Sequence, residues 1–358
     1  MSSYIISGIQ QMGVGVHDLH SAWEWYRKAF GMNVPIFEEE AEAKLMLPYT
    51  GGKPRSRHAV LAINMQSGGG FEIWQYKGRK PVSAEKEAMI GDLGIYTCKI
   101  KIKAIDAAVE HFTAMGAELI GVPAADPEGR STLFIRDPFG NIFQMVEAQD
   151  WFMKGKGVTG GAYGAIIGVT DTDRSMEVYS GILGYDSVVY DKTGIFDDLA
   201  GLPGGKGTFR RVLLERSKPF KGAFSRLFGD SVIELVEARD RKQSRIFEDR
   251  YWGDPGFIHL CYDISGMDNL KSHCEKAGYS FTVDSKASHD IEGFDMGEAA
   301  GHFSYIEDPD GTLIEFVETL KIPLLKKIGW YLDLTKRHPE KNLPGWMLRL
   351  LNLQKVKD

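Results

Sequence analysis

Residues 16–32, VHDLHSAWEWYRKAFGM, and residues 169–185, VTDTDRSMEVYSGILGY, are two copies of one design, with Asp18 answering Asp171. Each reads as a strand end, an aspartate placed to cap a helix, aromatics on the buried helical face (Trp23 and Tyr26, then Tyr179), and a glycine stop at Gly31 or Gly184. A second design also occurs twice, as IYTCKIKIKAIDAAVEHFTAMGAEL (95–119) and FIHLCYDISGMDNLKSHCEKAGYSF (257–281), where Thr97 answers His259. Each copy is a strand, a short helix and a glycine at the helix end, Gly116 or Gly278. Each is completed by a hairpin with an Asp-Pro-x-Gly turn, FIRDPFGNIFQMVEA (134–148) and YIEDPDGTLIEFVET (305–319), in which Pro presets φ and Gly supplies positive φ. An internal repeat of this kind decides the architecture before any single element is named. The order is strand, helix, three strands, twice in each half.

The intervening pieces, 34–77 and 186–237, hold β-rich stretches such as HAVLAINM, GFEIWQY, FRRVLLE and SVIELVEA. Residues 149–161, QDWFMKGKGVTGG with its flanks, read as a linker in which aromatic anchors give way to glycines. The expected division is therefore a first domain at 1–148, a linker at 149–161, a second domain at 162–320 and an amphipathic tail at 321–358.

A chain of 358 residues has room for two cores. Its 43% hydrophobic and 26% charged residues match a globular protein. The formal charge is −6, and the tail holds nine Lys/Arg against three Asp/Glu, so the body carries −12 and is a poor partner for nucleic acid. No stretch has the 18 or so apolar residues of a membrane span, and Met1 to Gln11 lacks signal-peptide character, which predicts a cytoplasmic protein. Cys98, Cys261 and Cys274 form no CxxC pair and sit in apolar or helical patterns that suggest small buried residues.

The repeated V-x-D turns and the two DPxG hairpins, each followed four residues after the glycine by Gln144 or Glu315, resemble the vicinal oxygen chelate superfamily: the glyoxalase, bleomycin-resistance and ring-cleaving dioxygenase group. The resemblance covers about residues 9–319. It implies an α+β fold of four βαβββ modules paired into two half-barrel domains, plus a helical C-terminal tail, with a divalent metal held by side chains on the first and last strands of each module.

Carried over position by position, the first half offers Gln11, Glu72, Thr97 and Gln144. One carboxylate with two amides and a hydroxyl is a poor trap for zinc or iron. The second half offers Gly164, Glu234, His259 and Glu315. Imidazole and two carboxylates with open positions suit a catalytic divalent ion, whether Zn, Ni, Mn, Co or Fe. The expectation is a metal site of Glu234, His259 and Glu315 in the C-terminal half, with Glu234 or Glu315 as base and Tyr305 as an acid or hydrogen-bonding group. His302 lies on the strand of Tyr305 with opposite parity, and His289 and Asp290 lie near it in sequence.

The resemblance then implies a metal-dependent enzyme that binds a small substrate through adjacent oxygens, of lyase or isomerase type. Two alternatives stay open: an iron-dependent ring-cleaving dioxygenase, weakened by Gly164, and a metal-free small-molecule binding protein. The first half, with Trp23, Trp25 and Trp74, reads as a degenerate scaffold or binding partner. The Lys/Arg-rich stretch 206–226, which includes Arg210 and Arg211, reads as a solvated loop and strand edge. In the tail, Leu324, Leu325, Ile328 and Leu332, then Trp346, Leu350 and Leu353, fall at helical spacing and need a cover. The protein's own barrel or a homodimer contact is expected, with a membrane surface as the alternative.

Overall fold

The computed structural model describes residues 4–286, 294–295, 300–325 and 330–356. His289, Asp290 and Ile328 lie outside the described residues.

Four modules follow one another. Module one is β1 (Ile5–Gly15), α1 (Leu19–Phe30), β2 (Val34–Glu42), β3 (Ser56–Ile63) and β4 (Gly70–Tyr76). Module two is β5 (Gly94–Ile102), α2 (Ile105–Ala114), β6 (Glu118–Ala125), β7 (Ser131–Arg136) and β8 (Ile142–Glu147). Module three is β9 (Thr159–Gly168), α3 (Thr172–Tyr179), β10 (Ser187–Gly194), β11 (Phe209–Glu215), α4 (Ser225–Phe228) and β12 (Val232–Ala238). Module four is β13 (Gly256–Ser265), α5 (Met267–Lys276), β14 (Val283–Asp284), β15 (Phe294–Asp295), β16 (Ala300–Glu307) and β17 (Leu313–Thr319). Because β9 begins at Thr159, the end of the expected linker is already strand.

The caps are those the repeat implies. The Asp18 carboxylate accepts the amide of Ser21 at 2.7 Å, and that of Asp171 accepts Asp173 and Arg174. Gly31 ends α1 at φ 62°, a left-handed position that favours glycine. In the two DPxG turns, Asp137 and Asp308 each accept two backbone amides. Each also receives a helix tyrosine from the preceding module, Tyr26 at 2.7 Å and Tyr179 at 2.9 Å. Neighbouring modules in sequence are thus fastened through their helices. Phe30, Phe71 and Phe143 join them in the main core, between the outer faces of the two sheets.

The sheets are paired differently from the expectation. One runs β14-β16-β17-β13-β1-β4-β3-β2 with β15 on its margin, and the other runs β10-β11-β12-β9-β5-β8-β7-β6. Module one shares a sheet with module four, and module two with module three. The seams are antiparallel, β1 on β13 with Gly13 opposite His259, and β9 on β5 with Gly164 opposite Lys99. The boundary drawn between 1–148 and 162–320 therefore divides both half-barrels instead of separating them. The physical reason is that first strands β1 and β5 have free edges, and backbone pairing is satisfied by any first strand of matching length.

The tail also departs from helical spacing at its start. Lys321–Leu325 and Trp330–Asp333 pair as a hairpin, β18 on β19, with Pro323 opposite Tyr331, because proline inside a helix removes a donor and clashes with the preceding turn. A short helix, α6 (Gly345–Arg349), follows. Leu343 and Leu348 are buried against Val34, Ile63, Leu227 and Phe228, so part of the tail is covered by the chain's own body. Trp346, Leu350 and Leu353 stay exposed. No helix among the described residues is long and apolar enough to cross a membrane.

Candidate metal centre

Strand alternation aims Gln11 (β1), Glu72 (β4), His259 (β13) and Glu315 (β17) into the same concave face. Their polar ends meet at one point. His259 Nε2 lies 3.1 Å from Glu315 Oε2 and 3.3 Å from Glu72 Oε2. Gln11 Nε2 lies 3.2 Å from Glu72 Oε2 and 3.4 Å from Glu315 Oε2. All four residues are buried, with His259 fully so. Gly13 makes the approach possible, since a Cβ there would stand 2.5 Å from the His259 ring.

Burial alone would lower the His259 pKa, but Glu315 and Glu72 outweigh it and push it up to about 9. Burial raises the Glu315 carboxyl, and His259 beside it reverses the sign and holds it below its usual range. A proton on the imidazole is thus what the two carboxylates hold between them. Gln11 Oε1 is buried without a hydrogen-bond partner, His259 Nε2 faces the two carboxylates outside hydrogen-bond geometry, and Glu72, His259 and Glu315 offer ligand atoms within 4.8 Å of one another. An imidazole, two carboxylates and an amide that rotates to present its oxygen are a suitable donor set for a divalent cation.

Around this point, Tyr305 is buried with its Oη 3.5 Å from His259 Nδ1. Trp252, from the connection between β12 and β13, lies near parallel to the His259 ring at 16°, with Nε1 3.3 Å from Nδ1. Trp74 packs edge-on to Trp252 at 4.7 Å and is fully buried. Neither tryptophan is an open wall, and Trp23 is tied to the Met32 carbonyl in the core. Trp25 packs on that core at the first helix. His302 points away from Tyr305, toward Glu318.

The structure brings His259, Glu315 and Tyr305 together but leaves Glu234 in the other sheet. There the corresponding positions are Gly164, Glu234, Thr97 and Gln144, and the centre is taken by Lys99. Its Nζ lies 2.7 Å from Glu234 Oε2 and also donates to Gln144. Arg211 holds the other Glu234 oxygen at 2.7 Å and reaches Asp198 at 2.7 Å. Burial would raise the Glu234 pKa, but Arg211 and Lys99 drive it down to about 2. The carboxylate expected on a metal is thus ionised and saturated by two side-chain cations. Arg211 is fully buried, which corrects, at that residue, the reading of 206–226 as a solvated loop and strand edge. Gln11 and Glu72, set aside as half of a poor trap, replace it at the centre. All eight positions were visible in the sequence; which four meet was not.

The sheet topology finds its counterpart in solved structures. Glyoxalase I from Zea mays matches with TM-score 0.54 at 12% identity, over 88% of this chain and 92% of that one. A putative dioxygenase from Bacillus subtilis matches with TM-score 0.55 at 12% identity, over 88% of this chain and 86% of that one. These likenesses establish the fold. No curated protein matches the chain by sequence. Two family models, both described as Glyoxalase/Bleomycin resistance protein/Dioxygenase superfamily, match residues 8–145 and 165–295. With most of the chain so covered and four βαβββ modules curled into two sheets, this protein belongs to the glyoxalase/bleomycin resistance protein/dioxygenase superfamily.

Proposed function

We propose that Gln11, Glu72, His259 and Glu315 hold one divalent metal ion and that the protein is a metal-dependent enzyme of lyase or isomerase type acting on a small substrate with adjacent oxygens. The observation that carries this reading is the convergence of four buried donors from two modules, with Gln11 Oε1 buried and unpartnered beside them. A bound ion would act there as a Lewis acid on substrate oxygens. The chain's own residues supply the proton handling. Glu315 is the base that takes a proton from carbon, because Tyr305 and Cys261 flank its carboxylate and give it partners away from the ion. Tyr305 stays protonated, its pKa raised by burial first and by Glu315 and Glu72 next, so it serves as a proton donor and not as a base. Glu234 takes no part in this chemistry; it is the anchor of the Lys99 cluster.

A donor set with one imidazole, two carboxylates and an amide supports proton transfer over iron-dependent ring cleavage, for which the resemblance implies two imidazoles. The test is metal content by mass spectrometry on untagged protein, with His259→Ala, Glu72→Gln and Glu234→Gln variants that remain folded by circular dichroism. About one equivalent more metal is expected in the wild type and in Glu234→Gln than in His259→Ala and Glu72→Gln. Iron in the wild type would favour the dioxygenase. Wild-type protein that is metal-free and takes up no added ion would end the enzyme reading and leave a metal-free binding protein.

A further inference from the structure

The convex face of module one carries a second group of metal-binding side chains. His20 lies in the first turn of α1, Glu38 on β2 and His58 on β3, and their ligand atoms lie within 4.8 Å of one another. The three come from separate elements held in fixed relation. Leu19 N–H donates to Gln75 Oε1 at 2.9 Å, and Gln75 is the cross-strand neighbour of His58, so the helix start is fastened directly over the strand pair. Glu40 sits opposite His58 in the β2–β3 ladder and shares its face with Glu38. His58 Nε2 lies 3.1 Å from Glu38 and its Nδ1 lies 3.8 Å from Glu40. The His20 and His58 rings meet edge to face at 5.4 Å.

Module three supplies an internal control. By the repeat, Asp173 stands where His20 does and Asp191 where Glu38 does, and Arg210 occupies the place of His58 in the third strand. There Arg210 bridges the two carboxylates, at 2.8 Å from Asp173 and 2.8 Å from Asp191. This corner of the fold thus keeps a permanent cation between helix start and edge strands in module three. In module one the guanidinium is gone; Lys77 takes Glu40 at 3.0 Å, and two imidazoles and Glu38 remain around the place of Arg210.

We propose that His20, His58 and Glu38 form a second, surface site for a transition-metal ion that prefers imidazole, such as Zn²⁺, Cu²⁺ or Ni²⁺. Its ligands are a ring nitrogen of His20, Nε2 of His58 and a Glu38 oxygen, with solvent completing the shell. Glu40 lies 3.8 Å from Nδ1 of His58 and is paired with Lys77 at 3.0 Å, so it adds negative charge beside the site without serving as a ligand. The ion staples the start of α1 to β2, the margin of its sheet, and stabilises the folded state by mass action.

The experiment is zinc titration by calorimetry, with thermal unfolding in parallel, on full-length His259→Ala protein, so that uptake at the barrel centre is removed. One equivalent of zinc and a raised unfolding temperature are expected. Adding His58→Arg, which restores the module-three pairing and should keep the fold, is expected to abolish both effects, and adding His20→Asn to weaken binding roughly tenfold or more. Failure of the His259→Ala protein to take up zinc, or equal uptake after His58→Arg, would overturn the proposal whatever the fate of the central site.

Discussion

Lys99 and His259 occupy the centres of the two half-barrels, and the difference between them sets what each can do. In one, an ammonium group is fixed between Glu234 and Gln144; in the other, an imidazole whose proton an ion can displace faces two carboxylates, beside a buried amide oxygen with no partner. Glu234 is ionised because Arg211 and Lys99 outweigh burial. With its folded pKa depressed to about 2, it contributes stability that is present above its unfolded pKa of 4.5 and is lost as pH falls toward 2. Lys99→Met removes one of the two cations and leaves a buried carboxylate underpaired. We expect a loss of about 3 kcal/mol near neutral pH in urea unfolding, shrinking in acid as Glu234 protonates. Equal stability of variant and wild type near neutrality would rule this out. Asp263 shows the opposite sign. It is buried on β13 with Oδ1 unpartnered, and burial pushes its pKa up to about 7 against the hydrogen bonds of Ser7 and Gln10. An acid with a raised folded pKa loses stability as pH rises from 3.8 to about 7, so Asp263→Asn should stabilise the protein above that window by up to roughly 4 kcal/mol and by little in acid. A pH-independent difference in unfolding free energy would show that desolvation of this carboxylate is not the cause.

The connection between β12 and β13 packs against the barrel centre. Tyr76 Oη donates to the Trp252 carbonyl, and Trp252 N–H donates to Tyr49 at 3.0 Å. Asp254 takes Arg79 at 2.6 Å, while Gly253, at φ 92°, lies so close to Trp74 that a Cβ would stand 2.2 Å from its ring. The Trp252 indole Nε1 lies 3.3 Å from His259 Nδ1. Because Glu315 and Glu72 keep the imidazole protonated up to about pH 9, an ion bound through Nε2 has to displace a proton. Uptake of the central ion should therefore release about one proton near neutral pH and weaken as pH falls, read by calorimetry in two buffers of different ionisation enthalpy with His58→Arg in place. Uptake with no proton released would show that His259 is neutral before the ion binds. Elements of this kind were hidden in the sequence. The Asp caps, glycine stops and DPxG turns were legible because each rests on local backbone geometry. Trp252 lies in a connection with no periodicity, and nothing local says that it folds back on His259 and against Trp74 of module one. The tail hairpin was missed for a related reason, since leucines at helical spacing were weighed and Pro323 was not.

At the scale of the molecule, the repeat disclosed four modules and eight candidate positions but not their pairing. Alternation tells which face of a strand is buried; it carries no information on which free edge it joins. Here sequence neighbours pack through helices, by Tyr26 on Asp137 and Tyr179 on Asp308, while the sheets close across the halves, β1 on β13 and β5 on β9. The central donors are divided accordingly, Gln11 and Glu72 from the first half and His259 and Glu315 from the second. Splitting the chain between the exposed residues Gly155 and Lys156 leaves each fragment with two packed modules and two bare first-strand edges, 11 and 9 residues long in the first fragment. Long unpaired edges recruit another chain, so each fragment alone should self-associate or aggregate, and refolding the two together should give a one-to-one complex by light scattering. If the proposed centre is correct, only that complex takes up the central ion, measured with His58→Arg in place to silence the surface site. A stable monomer of either fragment would show that the pairing across halves is not what completes the fold, and a one-to-one complex that binds no ion would leave the topology standing while removing the metal.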